Sequence, residues 1–185
     1  MRATTFGQSA LLLLDIIDIL KLKKIPYAVI GAMAVSCYGI PRASMDADAV
    51  ISLKNNTSSV DDLKKVLSAS KFNVIVKRGD YSDPLTGLIL IEDKYGNQVD
   101  LILGIKGMRS DAFKRIKKIS FQDTEINMIG VEDFIAMKIY AGGRKDIDDA
   151  KSVIDVSNEI INYELLRELT SAYGEREISI LDNLI

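Results

Sequence analysis

Two aspartates lie one residue apart in an apolar segment of this chain. Residues 43–51 predict a strand, and Asp46 and Asp48 on it are separated by a single alanine. Side chains two residues apart share one face of a strand, about 7 Å from each other. At an effective dielectric of about 20, two negative charges at that distance repel by about 2 kcal/mol. The pair therefore predicts a bound divalent cation or a catalytic site, and the alternative is an edge strand with two surface charges. The opposite face is predicted to be apolar through Met45, Ala47, Ala49 and Ile51.

The segment before this strand could form an anion site. Residues 25–30 predict a short buried strand, Gly31-Ala32 breaks it, and residues 33–38 predict a short helix that ends at Gly39. Free backbone amides and the positive end of a helix dipole attract anions, and small residues let a phosphate approach the backbone. The alternative is that the Gly-Ala pair only connects two elements.

A third carboxylate lies on a later predicted strand. In residues 98–103, Asp100 occupies one face and apolar side chains occupy the other. The preceding apolar segment, residues 86–92, is joined to it by a turn at residues 95–97, so the two strands are expected to pair antiparallel. By itself Asp100 is compatible with an ordinary polar position on a strand.

One lysine lies in an apolar helical stripe. Residues 131–141 predict a helix whose apolar positions recur at helical spacing, and Lys138 falls among them. A buried ammonium group without a partner is costly. Either the side chain extends to water past apolar neighbours, or the ammonium binds an anion.

The residues after this helix carry further charges. Gly142-Gly143 ends the helix, and Asp146 follows in the segment 144–150. A structural interpretation has Asp146 as the N-cap of the next helix, with Asp149 at the N3 position. The functional alternative has Asp146 facing the site.

The absence of histidine excludes several classes of chemistry. With no histidine and a single cysteine, the sequence cannot provide a Ser-His-Asp triad, a Cys-His pair or a histidine zinc site. Cys37 is expected to be a packed small hydrophobic side chain. Oxygen ligands remain, and they favour magnesium, with manganese as a substitute.

These motifs resemble those of the DNA polymerase beta type nucleotidyltransferase superfamily. Gly31-Ala32 followed by residues 41–48 is similar to the signature of its AbiEii-type members, known as toxins of toxin-antitoxin systems, and Arg42 and Ser44 fit their Arg-x-Ser element. The later motifs match in order, so the resemblance covers most of the chain. Ala32 departs from the superfamily's usual Ser or Gly, which leaves phosphate binding to backbone amides.

The resemblance implies a role for each of these residues. Asp46, Asp48 and Asp100 would bind the metal and, with Lys138 and Asp146, form the catalytic set. Asp146 would serve as an auxiliary base. The nucleotide-binding residues would be Gly31, Ala32, Arg42, Ser44 and Lys138.

The implied activity is magnesium-dependent transfer of a nucleoside monophosphate from a nucleoside triphosphate to a hydroxyl group. The acceptor stays open among tRNA, another RNA, a protein and a small molecule, and a cognate antitoxin is an expected partner if the chain is a toxin. Two alternatives stay open: a catalytically silent member that binds nucleotide or a partner protein, and an antitoxin-like interaction module.

Composition is consistent with a compact enzyme. The 185 residues are 48% hydrophobic, and a chain of this size buries about 70% of its unfolded surface. The apolar run at residues 10–14 is too short to cross a membrane, so we expect a cytoplasmic protein without a membrane partner. The basic residues at 114–118 are interpreted as a solvated helix face, with a phosphate contact as the alternative.

The predicted fold class is α/β (α+β), a nucleotidyltransferase-type mixed sheet flanked by helices. Residues 1–130 are predicted to form the nucleotidyltransferase-like domain, and residues 131–185 a C-terminal helical segment packed on it. The other predicted elements are listed here: helices at residues 9–23, 61–70 and 110–118, and strands at residues 72–76, 119–121 and 125–129.

Overall fold

The fold is described from a computed structural model that covers residues 1–54 and 56–185. These residues form one mixed sheet of seven strands with helices around it. The strands are β1 (Tyr27–Val29), β2 (Asp46–Ile51), β3 (Asn73–Arg78), β4 (Leu85–Glu92), β5 (Gln98–Ile105), β6 (Lys117–Phe121) and β7 (Thr124–Met128). The helices are α1 (Ser9–Leu22), α2 (Gly31–Cys37), α3 (Val60–Ala69), α4 (Val131–Ala141), α5 (Arg144–Ser157), α6 (Tyr163–Ser171) and α7 (Glu175–Asp182). A 3-10 helix spans Ser110–Lys114.

The strand order places β2 at the centre of the sheet. The order is β3-β4-β5-β2-β1-β7-β6, with β2 parallel to β5 and β1 parallel to β7. The remaining neighbours are antiparallel, including β4 and β5, as the turn at residues 95–97 predicts. A central strand is fixed on both sides by hydrogen bonds, so side chains on β2 are held in defined positions.

One hydrophobic core joins the sheet to the C-terminal helices. Leu12 and Ile16 of α1, Ala49 of β2, and Phe134 of α4 belong to a single cluster of buried side chains that also includes Val153 of α5. The helix α4 ends at Gly142, whose φ of 68° is the left-handed conformation common after a helix. The break that the double glycine predicts is therefore present, and α5 begins two residues later.

The structure corrects three predicted boundaries of helices and strands. The helix α2 begins at Gly31, so Gly31 and Ala32 form its first turn instead of preceding it. The strand β2 begins at Asp46, and Met45, predicted to face the core, is 60% exposed. The helix predicted at residues 110–118 is a 3-10 helix that ends at Lys114, because Lys117 already pairs in β6.

Within the described residues, no helix is both long and apolar enough to cross a membrane.

Candidate active site

The parallel pairing of β2 and β5 brings three carboxylates together. Asp48 lies directly opposite Asp100 in the register, and Asp46 lies two residues before Asp48 on the same face. One carboxylate oxygen from each residue can be chosen so that all three atoms lie within 4.8 Å of one another. The sequence places these residues on separate strands, and the fold makes them neighbours.

The three carboxylates carry negative charge that nothing nearby neutralises directly. Burial, together with the charges of Asp46 and Asp100, raises the pKa of Asp48 to about 6. Burial and the charge of Asp46 also raise the pKa of Asp100. Across residues 1–54 and 56–185, no lysine or arginine forms an ion pair with any of the three. A hard divalent cation fits this site, because it prefers oxygen ligands and would relieve the repulsion.

Gly31 allows the first turn of α2 to approach the acidic residues. Its φ of 64° is a conformation that other residues rarely adopt. A Cβ atom at this position would overlap the Asp48 carboxylate. The backbone of Ile30 is also fixed to β2, since its N–H donates to the Asp48 carbonyl at 3.0 Å. Glycine is therefore required at position 31 by both backbone conformation and space.

The loop between α2 and β2 carries Arg42 and Ser44 toward the site. The Ser44 hydroxyl donates to the Asp46 carboxylate, so it contacts one of the three acids. Both residues, together with Ala32 and Asp46, line an open cavity of about 440 Å³. The structure thus places Ala32, Arg42 and Ser44 beside Asp46, as the predicted nucleotide-binding role requires.

Lys138 is held by two carboxylates of α5. Its Nζ lies 2.6 Å from Asp146 Oδ1 and 3.0 Å from Asp149 Oδ2, and its side chain is 15% exposed. The Asp149 carboxylate also accepts a hydrogen bond from the Arg42 guanidinium. The solvent-reaching alternative for Lys138 is therefore wrong, because its ammonium group is paired inside the structure. The structural interpretation of Asp146 is also wrong, since Gly143 is the N-cap of α5 and Asp146 lies in its first turn.

A second cavity is lined by Asp48. It has a volume of about 350 Å³ and is mostly apolar, with Asp48, Lys138 and Asp146 as its charged residues. The apolar lining from α4 includes Phe134, Met137 and Tyr140, which sequence analysis did not select. Apolar residues at helical spacing predict a face that packs in the core, so the sequence pattern did not indicate that these three residues line a cavity. A smaller cavity of about 200 Å³ lies beside Asp100.

Two other sequence features have structural explanations. The segment 114–118 is not one helix face, and Arg115 forms a two-pronged hydrogen bond with the buried Asp133 at 2.7 and 2.8 Å. Cys37 is half-buried, and burial raises the pKa of its thiol. It packs against the core as predicted.

Comparison with protein families identifies the group to which the chain belongs. Residues 11–185 match the model of the family DUF2204, described as a nucleotidyl transferase of unknown function. The chain belongs to this family. Because the match covers nearly all of the sequence, the predicted enzyme class, nucleotidyltransferase, is confirmed. No curated protein matches the sequence.

Solved structures show the same fold at low sequence identity. An antigenic nucleotidyltransferase-like protein from Paracoccidioides brasiliensis is 16% identical, with a TM-score of 0.62 over 98% of this chain and 89% of its own. ANT(2")-Ia, solved with adenylyl-2"-tobramycin, is 13% identical, with a TM-score of 0.59 over 88% and 94%. The lincosamide antibiotic adenylyltransferase LnuA, solved with lincomycin, is 12% identical, with a TM-score of 0.52 over 83% and 99%. The predicted fold class, a nucleotidyltransferase-type mixed sheet flanked by helices, is confirmed.

Proposed function

We propose that this family member transfers a nucleoside monophosphate from a nucleoside triphosphate to a hydroxyl acceptor and uses magnesium, with manganese as a substitute. The observation that carries the proposal is the convergence of Asp46, Asp48 and Asp100 on one face of the central strands. Three oxygen donors around one point suit a hard divalent cation, and the paired cations Arg42 and Lys138 nearby suit a polyphosphate.

In this proposal Asp46 and Asp48 hold the metal ions and Asp100 completes the ligand set. A divalent metal there supplies positive charge against the α-phosphate and the departing pyrophosphate. Arg42, Ser44 and Lys138, together with the amides of Gly31 and Ala32, would bind the triphosphate. Each of these residues lies beside Asp46 or Asp48 or lines a cavity that contains one of them.

The reaction requires one proton to leave the acceptor. The acceptor oxygen forms a bond to the α-phosphorus, the bond to the pyrophosphate oxygen breaks, and the hydroxyl proton passes to a carboxylate. Asp100 would help to activate the acceptor hydroxyl and accept that proton, because it lies directly opposite Asp48 on the neighbouring strand. Asp146 would be an auxiliary base, although its contact with Lys138 equally suits a supporting role.

The acceptor and the cellular role are parts of the same proposal. The motif resemblance favours an AbiEii-like toxin that acts in the cytoplasm on tRNA or protein and is neutralised by a cognate antitoxin. Two structural neighbours were solved with adenylyl-2"-tobramycin and with lincomycin, which supports a small hydroxyl-bearing molecule as the acceptor. Residues 1–130 would form the nucleotidyltransferase-like domain, and residues 131–185 a C-terminal helical segment packed on it that contributes Lys138 and Asp146.

One observation favours a second candidate function. Ala32, at the start of α2, offers no hydroxyl to a phosphate, whereas the superfamily usually has Ser or Gly there. A silent member would bind nucleotide, or a partner protein, without transferring anything. An antitoxin-like module would capture its partner in the absence of magnesium.

A labelling experiment separates these functions. Purified protein is incubated with magnesium, cell extract and each of the four α-labelled nucleoside triphosphates in turn. We expect label in an acceptor, and its loss with Asp46→Asn, with Asp100→Asn and with EDTA, while Asp148→Asn on the exposed face of α5 retains it. Nucleotide binding without label in any acceptor would contradict the enzyme and favour the silent member.

A further inference from the structure

Asp149 is buried between two cations that approach it from distant parts of the chain. It is 7% exposed, and its Oδ2 lies 3.0 Å from Lys138 Nζ on α4. The same oxygen accepts a hydrogen bond from Arg42 Nη1, in the loop before β2. One carboxylate on α5 therefore joins two segments that are separated by 96 residues in the sequence (138 minus 42).

The two cations that Asp149 joins line different cavities beside the acidic strands. Arg42 lines the cavity of about 440 Å³ beside Asp46, whereas Lys138 lines the cavity of about 350 Å³ beside Asp48. Because both cations contact the same Asp149 oxygen, they also lie close to each other. A polyphosphate bound over the three acids would thus be within reach of both cations.

Two long cationic side chains do not stay together in a protein interior without a shared counter-charge. The side chains of Arg42 and Lys138 are 18% and 15% exposed, so water screens their mutual repulsion only in part. Asp149 supplies a negative charge to both, and its short side chain on a regular helix has few rotamers. Asp146 contacts Lys138 alone and cannot hold Arg42.

We propose that Asp149 is a positioning residue that sets the spacing of Arg42 and Lys138 so that both contact the triphosphate of one nucleotide. This proposal rests on the nucleotidyltransferase function proposed above. Asp149 itself touches neither nucleotide nor metal, and it acts through the two cations. Preorganised charges bind a polyanion better than mobile ones, because the entropy of ordering them is already lost.

The test is a double-mutant cycle on nucleotide binding. A nonhydrolysable ATP analogue, and then the corresponding GTP, CTP and UTP analogues, are titrated in magnesium into wild-type protein, Asp149→Asn, Lys138→Ala and the double variant. We expect Asp149→Asn to raise the Kd at least tenfold. In the double variant the Kd should exceed that of Lys138→Ala by a smaller factor than Asp149→Asn causes in the wild-type background, because part of the Asp149 effect passes through Lys138.

The control variant changes a neighbouring residue of the same helix, α5. Asp148→Asn removes the same charge from the adjacent, exposed position, and its Kd should stay within twofold of wild type. Equal weakening by Asp148→Asn, or a Kd unchanged by Asp149→Asn, would overturn the proposal. Fully multiplicative effects of Asp149→Asn and Lys138→Ala would also overturn it.

Two further outcomes keep the inference distinct from the proposed function. If Asp149→Asn does not fold, Asp149→Glu replaces it, since Glu retains the charge but shifts it by one methylene. A Kd at least fivefold above wild type supports the spacing role, and a Kd within twofold overturns it. If the wild-type protein binds none of the four analogues, the proposed function and this inference both fail. If the wild-type protein binds one of the analogues but the double-mutant cycle gives a contradicting result, the positioning role of Asp149 is wrong and the proposed function stands.

Discussion

The candidate site contains two groups of charged side chains, a sheet group on β2 and β5 and a helical group formed by α4, α5 and the loop before β2. The sheet group consists of Asp46, Asp48 and Asp100, which carry three negative charges and form no ion pair among the described residues. The helical group joins Arg42 and Lys138 to Asp146 and Asp149, two cations to two carboxylates. In the balanced group each charge has a partner of opposite sign within the protein, whereas the unbalanced group fits the added cation that we propose.

A network elsewhere in the molecule supports this distinction. Arg115 pairs with Asp133 and Asp111 in a cluster that lines none of the three cavities near the acids. Each carboxylate there contacts an arginine, and the effect of the cluster is to tie the 3-10 helix to α4. The three carboxylates of β2 and β5 have no such contact with a lysine or arginine among the described residues, and that is the feature that points to chemistry.

Removing a charge from the unbalanced group should have the largest effect. We expect Asp46→Asn, Asp48→Asn or Asp100→Asn to lower the rate of nucleotidyl transfer by about 10³-fold or more, because each removes an oxygen that stabilises the metal and the transition state. Label transfer under single-turnover conditions measures this. A variant of the Arg115 network, Asp111→Asn, serves as the control, and a comparable loss in that variant would contradict the distinction.

Displacing the unbalanced group without changing its charge should have the next largest effect. Gly31→Ala places a Cβ where the Asp48 carboxylate lies, and we expect transfer to fall by about 10²-fold, since small displacements of catalytic groups are costly. Gly39→Ala also has a positive φ but meets only an ordinary contact with Val156, so it isolates backbone strain. Similar activity in the two variants would show that the overlap with Asp48 is unimportant.

The metal-free stability of the protein should report the combined cost of burying the Asp48 carboxylate and placing it beside Asp46 and Asp100. Folded protein retains the Asp48 proton up to about pH 6, whereas the unfolded chain loses it near 3.8. Folding therefore binds a proton between these values, and the free energy of unfolding decreases as pH rises from about 4 to 6. The full shift corresponds to about 3 kcal/mol, and partial exposure of the site reduces the expected gain for Asp48→Asn at pH 7 to about 1–2 kcal/mol.

Urea unfolding in EDTA at pH 7 and at pH 3.5 measures this gain. We expect Asp48→Asn to be more stable than wild type at pH 7 and equal to it at pH 3.5, where both states are protonated. Saturating magnesium should reverse the order at pH 7. A loss of stability at pH 7 in EDTA would mean that the three carboxylates do not repel one another in the folded protein.

Restoring a hydroxyl beside the balanced group should have the smallest effect. Ala32→Ser adds a donor at the start of α2, and we expect nucleotide affinity to rise about fivefold, which corresponds to one hydrogen bond of about 1 kcal/mol. Isothermal titration with the nucleotide analogues measures this, with Ala69→Ser on the exposed end of α3 as the control. Unchanged affinity would show that a hydroxyl group at position 32 does not contribute to nucleotide binding.

The sequence contained enough information for the sheet group and much less for the helical group. Asp46 and Asp48 could be paired because a strand has a fixed two-residue period. Asp100 was assigned to the site by the family resemblance, since the turn at 95–97 predicts only that its strand pairs with the preceding one. The bounds of α4 were predictable, since its apolar stripe ends at two glycines. Met45 was misplaced because the alternation of side chains does not show where a strand begins.

The resemblance selected Arg42, Lys138 and Asp146, but the contacts that Asp149 makes with Arg42 and Lys138 could not be predicted from the sequence. Asp149 looked like a residue that favours the helix dipole, and nothing local indicates that it meets Arg42 across more than 100 residues. The N-terminus of α5 was misassigned for a related reason, since Gly143 can be an N-cap as well as a helix terminator. The cavity beside Phe134 and Tyr140 depends on how α4 lies against β5, which periodicity cannot specify.

The central claim is that the three carboxylates of β2 and β5 bind a divalent cation. Crystals of the protein soaked with manganese and a nonhydrolysable nucleotide, measured at the manganese absorption edge, test it directly. The account predicts an anomalous peak about 2.1–2.2 Å from oxygens of Asp46 and Asp48, lost in Asp48→Asn. Nucleotide bound without a peak at these carboxylates, or manganese bound only elsewhere, would contradict it.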